Sequence, residues 1–94
     1  MGNERPTEVE IRDWCSQYLA KQLKTPANRV DQHAKFSRLG IDSTTSVFLI
    51  VALEEWLGLD LSSDIAFEYP SIVELAGYLA KRCADQSNAE GRAG

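Results

Sequence analysis

The chain has 94 residues, of which 44% are hydrophobic and 26% charged. Those proportions belong to one small globular domain and exclude both a disordered chain and an enzyme built around a deep interdomain cleft. Ten basic against fourteen acidic residues leave a net charge of −4, and none of the basic residues falls between Leu39 and Ala80. Residues 1–38 hold seven basic and five acidic groups, whereas residues 39–94 hold three and nine. The second part therefore carries a negative field, which repels nucleic acid and steers toward basic partners.

Residues 1–6, MGNERP, read as a flexible N-terminal tail. They contain no apolar stretch of a secretory signal and no Ser or Thr completing a myristoylation motif after Gly2. The apolar run Val47–Leu53 is far too short to span a bilayer, so a cytoplasmic protein with no membrane contact is expected.

Thr7-x-x-Glu10 is a capping-box pattern. Ile11, Trp14, Cys15, Tyr18, Leu19 and Leu23 then recur at helical spacing, which predicts an amphipathic first helix limited by Pro26. Residues 25–41 form a long connection, and Val30, Phe36, Leu39 and Ile41 are placed to tack it onto the core.

The second helix is predicted from about Ser43 to Leu57, with Asp42 or Ser43 as N-cap and Gly58 as its left-handed C-terminal residue. Val47, Leu49, Ile50, Leu53, Trp56 and Leu57 cover a wide arc, so this helix is read as central. The remaining face, Thr44, Phe48, Val51 and Glu55, is more apolar than a solvent face requires.

A short third helix is expected after Ser62, ending near Phe67 before Tyr69-Pro70. Ser71-x-x-Glu74 is a second capping-box pattern, opening a last helix with Ile72, Leu75, Ala76, Leu79 and Cys83 on one face. Residues 85–94, DQSNAEGRAG, read as a disordered tail or linker. Residues 7–84 are thus the folded domain, all-α and without strand alternation.

Chemistry concentrates at Gly40-Ile41-Asp42-Ser43. Gly40 permits a tight turn and Ile41 anchors it. Ser43 falls on the first turn of a helix, where free N–H groups favour an attached anion such as a phosphodiester. Nothing else suggests catalysis. His33, the only histidine, lies in the loop beside Asp31, Gln32 and Lys35, and a Ser43–His33–Asp42 triad lacks a rigid base and an oxyanion hole. Glu54 and Glu55 are consecutive and do not face each other as a catalytic pair. Cys15 and Cys83 have no metal spacing; both fall on apolar stripes and read as buried free thiols, with a disulfide as the alternative.

These landmarks give the chain a resemblance to the acyl carrier proteins of fatty-acid and polyketide synthesis. The resemblance runs from about Thr7 to Ala84. It is carried by Phe36-x-x-Leu39-Gly40-Ile41-Asp42-Ser43, by Val47-x-Leu49-x-x-x-Leu53-Glu54-Glu55, and by Phe67-Glu68-Tyr69-Pro70-Ser71-Ile72 with Leu75-Ala76. The last stretch is like that of polyketide-type carriers. The resemblance implies a four-helix bundle with a long first loop and a short third helix. It also implies that Ser43 receives a covalent 4′-phosphopantetheine arm from coenzyme A through a phosphopantetheinyl transferase, with Gly40, Ile41 and Asp42 completing the motif. The arm's thiol then holds acyl intermediates as thioesters for a ketosynthase, acyltransferase, acyl ligase or other synthase enzyme. A non-catalytic, monomeric carrier is expected.

The sequence departs from that pattern at Thr44, where Leu is frequent, and at Thr45 and Phe48, where many carriers have an acid. The docking face is therefore expected to combine Thr44, Phe48 and Val51 as apolar contacts with Glu54 and Glu55 for steering. Two alternatives keep the helical fold. One is a peptidyl carrier domain of a nonribosomal peptide synthetase, against which Leu39-Gly40-Ile41 argues because such domains usually show Gly-Gly here. The other is an unmodified helical interaction module. The missing basic residues between 39 and 80 argue against a DNA-binding role.

Overall fold

The computed structural model describes the backbone of residues 6–93 and the side chains of residues 6–84. Four helices follow one another: α1, Glu8–Leu23; α2, Ser43–Leu57; α3, Ile65–Glu68; and α4, Ile72–Ala93. A single 3-10 turn, Ala27–Arg29, interrupts the long first connection. Among the described residues the only β-type pairing is an isolated antiparallel bridge between Lys35 and Ser71.

Local chemistry sets most boundaries. The Thr7 hydroxyl accepts from Glu10 N–H at 3.2 Å, and Thr7 N–H donates to the Glu10 carboxylate at 2.8 Å, so the first capping box closes reciprocally. Two acids in the first turn of α1, Glu8 and Glu10, complement the positive end of its dipole. Its C-terminus is less legible. Lys24 adopts a left-handed conformation (φ 57°) with no glycine in the neighbourhood, and its N–H returns to Ala20 C=O. Gly58 ends α2 as expected, with φ 68° and its N–H on Glu54 C=O.

The second capping box forms differently from its pattern. Ser71 Oγ accepts from Glu74 N–H at 3.3 Å but donates its own proton to the Glu74 carboxylate at 3.0 Å. The segment around Ser71 is committed to the long loop instead: Phe36 N–H donates to Pro70 C=O at 2.7 Å beside the Lys35–Ser71 bridge.

The core is built from Ile11, Cys15 and Leu19 of α1, Leu49, Ile50 and Leu53 of α2, and Ile72, Leu75, Leu79 and Cys83 of α4. Each fully buried aliphatic side chain contributes ~1.5–3 kcal/mol by leaving water. α4 packs chiefly against α1. The long loop is tied down by apolar anchors and by hydrogen bonds: Val30, Phe36 and Ile41 are buried, Gln32 Nε2 donates to Ser16 Oγ at 2.8 Å, and Val73 N–H donates to Gln32 C=O at 3.0 Å. Cys15 and Cys83 are both buried and unbridged. Burial pushes the Cys15 thiol up to about 12, because a thiolate there has no water.

Two expectations need correction. Val47 and Trp56, read as part of the central arc of α2, are 38% and 39% exposed. The apolar surface of α2 is wider than its neighbours cover. Trp56 stacks on Trp14, with ring centroids 5.0 Å apart, and Trp14 in turn stacks on Tyr18. The backbone of α4 runs through Ala93. No proline interrupts the ladder there. The side chains of 85–94, and residues 1–5 of the N-terminal tail, lie outside the described residues.

Candidate functional site

The long loop delivers the chain to the start of α2 through a tight turn. Ile41 N–H donates to Phe36 C=O at 3.0 Å, and Leu39 N–H donates to the same carbonyl at 3.1 Å. Gly40 has φ +83°. A Cβ placed there meets nothing within 4 Å, so the backbone conformation, not space, demands glycine. Ile41 is buried and pins the turn to the core.

Asp42 is the N-cap, in extended conformation, and its Oδ1 accepts from Thr45 N–H at 2.8 Å. That backbone hydrogen bond, seconded by the Thr45 hydroxyl, holds the Asp42 carboxyl below its ordinary value. The carboxylate therefore stays ionised and committed to the cap. Ser43 occupies the first helical position with its side chain exposed. By helix geometry the N–H groups of Ser43 and Thr44 have no acceptor one turn back, so they face outward with the positive end of the dipole. Beneath, the buried Ser46 donates its hydroxyl proton to Ser43 C=O at 2.9 Å, tightening the first turn.

Ser43 borders a cleft of about 310 Å³. Its wall includes Phe36, Ile41, Ala66, Phe67 and Pro70, and its rim includes Lys35, Ser37 and Asp42. Phe67, on α3, is 69% exposed, the most exposed of the large apolar side chains described. Sequence reading did not single out Phe67 or Lys35 as site residues. Their nearness to Ser43 arises from the Lys35–Ser71 bridge, which folds the loop against the segment after α3.

The residues read as a docking face divide. Thr44, Phe48, Val51 and Glu55 are exposed along α2, with Phe48 57% and Val51 44% accessible. Glu54 turns inward, and its Oε2 accepts from Leu61 N–H at 2.8 Å, which holds the connection after α2. His33 is exposed in the loop and its backbone N–H donates to Asp31 Oδ1 at 3.0 Å. Among the described residues no group of His, Cys, Asp and Glu could hold a metal ion.

A small all-helical body that presents a serine hydroxyl on the first turn of its second helix, beside an open cleft, defines a carrier domain rather than an enzyme. Residues 13–79 match the family described as Phosphopantetheine attachment site, and the chain belongs to that family. The group its members hold covalently is 4′-phosphopantetheine, and the domain is non-catalytic. The exposed Ser43 hydroxyl and the adjoining cleft, with its polar rim and apolar wall, are compatible in chemistry with such an arm.

Relatives agree. The chain is 41% identical over 67 residues to the polyketide synthase PksM of Bacillus subtilis, across 71% of this chain and 2% of that protein. It thus spans a small fraction of the length of the curated relatives it matches. Among solved structures it is similar to the HMG-ACPI domain from the CurA module of Lyngbya majuscula (TM-score 0.78, 28% identity, 89% of this chain and 85% of that one). It is also similar to a free-standing peptidyl carrier protein from Acinetobacter baumannii (TM-score 0.77, 25% identity, 81% and 95%). These likenesses bear out the all-α carrier fold.

Proposed function

We propose that this chain is an acyl carrier domain of a polyketide-type synthase and that Ser43 is its attachment residue. The observation that carries the reading is the placement of Ser43, exposed at the first position of α2 behind an N-cap that fixes its backbone. Gly40 and Ile41 hold the turn, Asp42 fixes the helix start, and the Ser43 Oγ is left free to be the acceptor in a phosphopantetheinyl transferase. When bound, the arm supplies a terminal thiol on which acyl groups are held as thioesters. The protein's own contribution is to present that position at the surface and to keep it close to partner active sites, raising effective concentration.

The likeness to a polyketide synthase supports acyl cargo. Ketosynthase, acyltransferase and acyl ligase are the corresponding partners, meeting a face made of Thr44, Phe48 and Val51 with Glu55 beside it. Glu54 belongs to the fold as much as to that face, because it holds Leu61. No described helix is long and apolar enough to cross a membrane. Action as a monomer in the cytoplasm is part of the same proposal.

Incubation with coenzyme A, Mg²⁺ and a broad-specificity phosphopantetheinyl transferase tests it by intact mass. Gain of one phosphopantetheine unit in the wild type and none in Ser43→Ala is the expected result. No gain under conditions that load a control carrier rejects the reading.

A further inference from the structure

The cleft beside Ser43 has one cation and one anion on its lining, Lys35 and Asp42. Asp42 is ionised and held at the N-cap, so it repels any anion joined to the neighbouring Ser43. A cation on the same cleft offsets part of that repulsion. Lys35 is the cation that lines this cleft with Ser43, and its backbone is held. Its backbone bridges Ser71 and its carbonyl accepts from Arg38 N–H at 2.9 Å and Leu39 N–H at 3.2 Å. No carboxylate among the described residues pairs with its ammonium, so the group is available.

We propose that Lys35 binds the phosphodiester of the arm on Ser43, with the first-turn N–H groups of α2 facing the same charge from the other side. Lys35 is thus a positioning residue: it restrains the root of the arm over the cleft and sets the direction in which the arm leaves the protein. This rests on Ser43 being the attachment point.

The test is ³¹P relaxation of the loaded protein in wild type, Lys35→Gln, Lys35→Arg and Arg38→Gln. Arg38→Gln removes the same charge from a neighbouring loop residue that does not line the cleft. In low salt the Lys35→Gln phosphorus should relax more slowly by roughly twofold, as expected when an exposed charge contact is lost. Lys35→Arg and Arg38→Gln should match the wild type. Salt near 0.5 M should bring the wild type to the Lys35→Gln value, because exposed charges are screened. Equal relaxation in wild type and Lys35→Gln overturns the assignment, as does an equal effect of Arg38→Gln. Failure of the wild type to load, seen as a missing mass gain, overturns the attachment reading and this one together; loading with unchanged relaxation overturns only the role of Lys35. Lys35 is exposed and outside the core, so amide spectra of the variants should retain the wild-type fold.

Discussion

Replacing Phe48 by alanine separates docking from folding. A phenylalanine side chain offers about 200 Å², so 57% exposure leaves about 115 Å² available to a partner. At about 25 cal/mol per Å², full coverage of that area is worth about 3 kcal/mol. Ordering and imperfect packing in an interface leave about 1–2 kcal/mol. The expected loss in kcat/KM is therefore about tenfold. It should be measured on the loaded carrier with a ketosynthase or acyltransferase, and on the unloaded one with the phosphopantetheinyl transferase. Phe48→Glu should lose more, because a charge is then set against an apolar surface. Folding stability of Phe48→Ala should change by less than about 0.5 kcal/mol, as for an ordinary surface substitution. Leu49, the next residue, is 0% exposed and supplies the contrast. Leu49→Ala should cost about 2–5 kcal/mol in denaturant unfolding. Unchanged kcat/KM for Phe48→Ala and Phe48→Glu with every partner would refute the docking argument.

Gly40→Ala should lower stability by about 1–2 kcal/mol, the cost of a left-handed Cβ. Because that Cβ meets no neighbour, the cost is one of backbone conformation, and Gly40→Asn, which tolerates the left-handed region better, should lose less than Gly40→Ala; an equal loss would contradict that cause. The Cys15 thiol should resist alkylation at neutral pH until the protein unfolds, since its value of about 12 leaves almost no thiolate. In the folded state that thiol holds its proton above its ordinary value, so the associated stability is complete below about pH 9 and falls as pH rises toward 12. Urea midpoints of Cys15→Ala and wild type should converge across that window, and parallel curves would contradict the assignment.

Much of the fold could be read from local chemistry. Thr7-x-x-Glu10, Asp42 before Ser43, and Gly58 after Leu57 mark helix ends through hydrogen bonds that involve only near neighbours, and the structure makes each of them. What was not legible depends on distant parts of the chain. Periodicity placed Val47 and Trp56 on the apolar arc of α2 but could not reveal that both stay more than a third exposed, with Trp56 stacked on Trp14. The left-handed turn at Lys24 carried no glycine signal. At the site, Gly40 to Ser43 stood out because each residue type has a local reason. Lys35 and Phe67 did not, since backbone pairing between the long loop and the segment around Ser71, distant in sequence, brings them together. Glu54 was read as a surface acid, and its hydrogen bond to Leu61 crosses a loop that spacing does not describe.

The missing basic residues between Leu39 and Ala80 make the central claim directly measurable. Trypsin should release Leu39–Lys81 as one peptide, holding Ser43, Thr44, Thr45, Ser46, Ser62, Ser63 and Ser71 together. Tandem mass spectrometry of that peptide from loaded protein, with fragmentation that preserves the attached group, localises the arm among these hydroxyls. The account predicts that every fragment gaining the phosphopantetheine mass contains Ser43 and that fragments starting at Thr44 never do. Mass retained on Thr44, Ser46 or any later hydroxyl would contradict it.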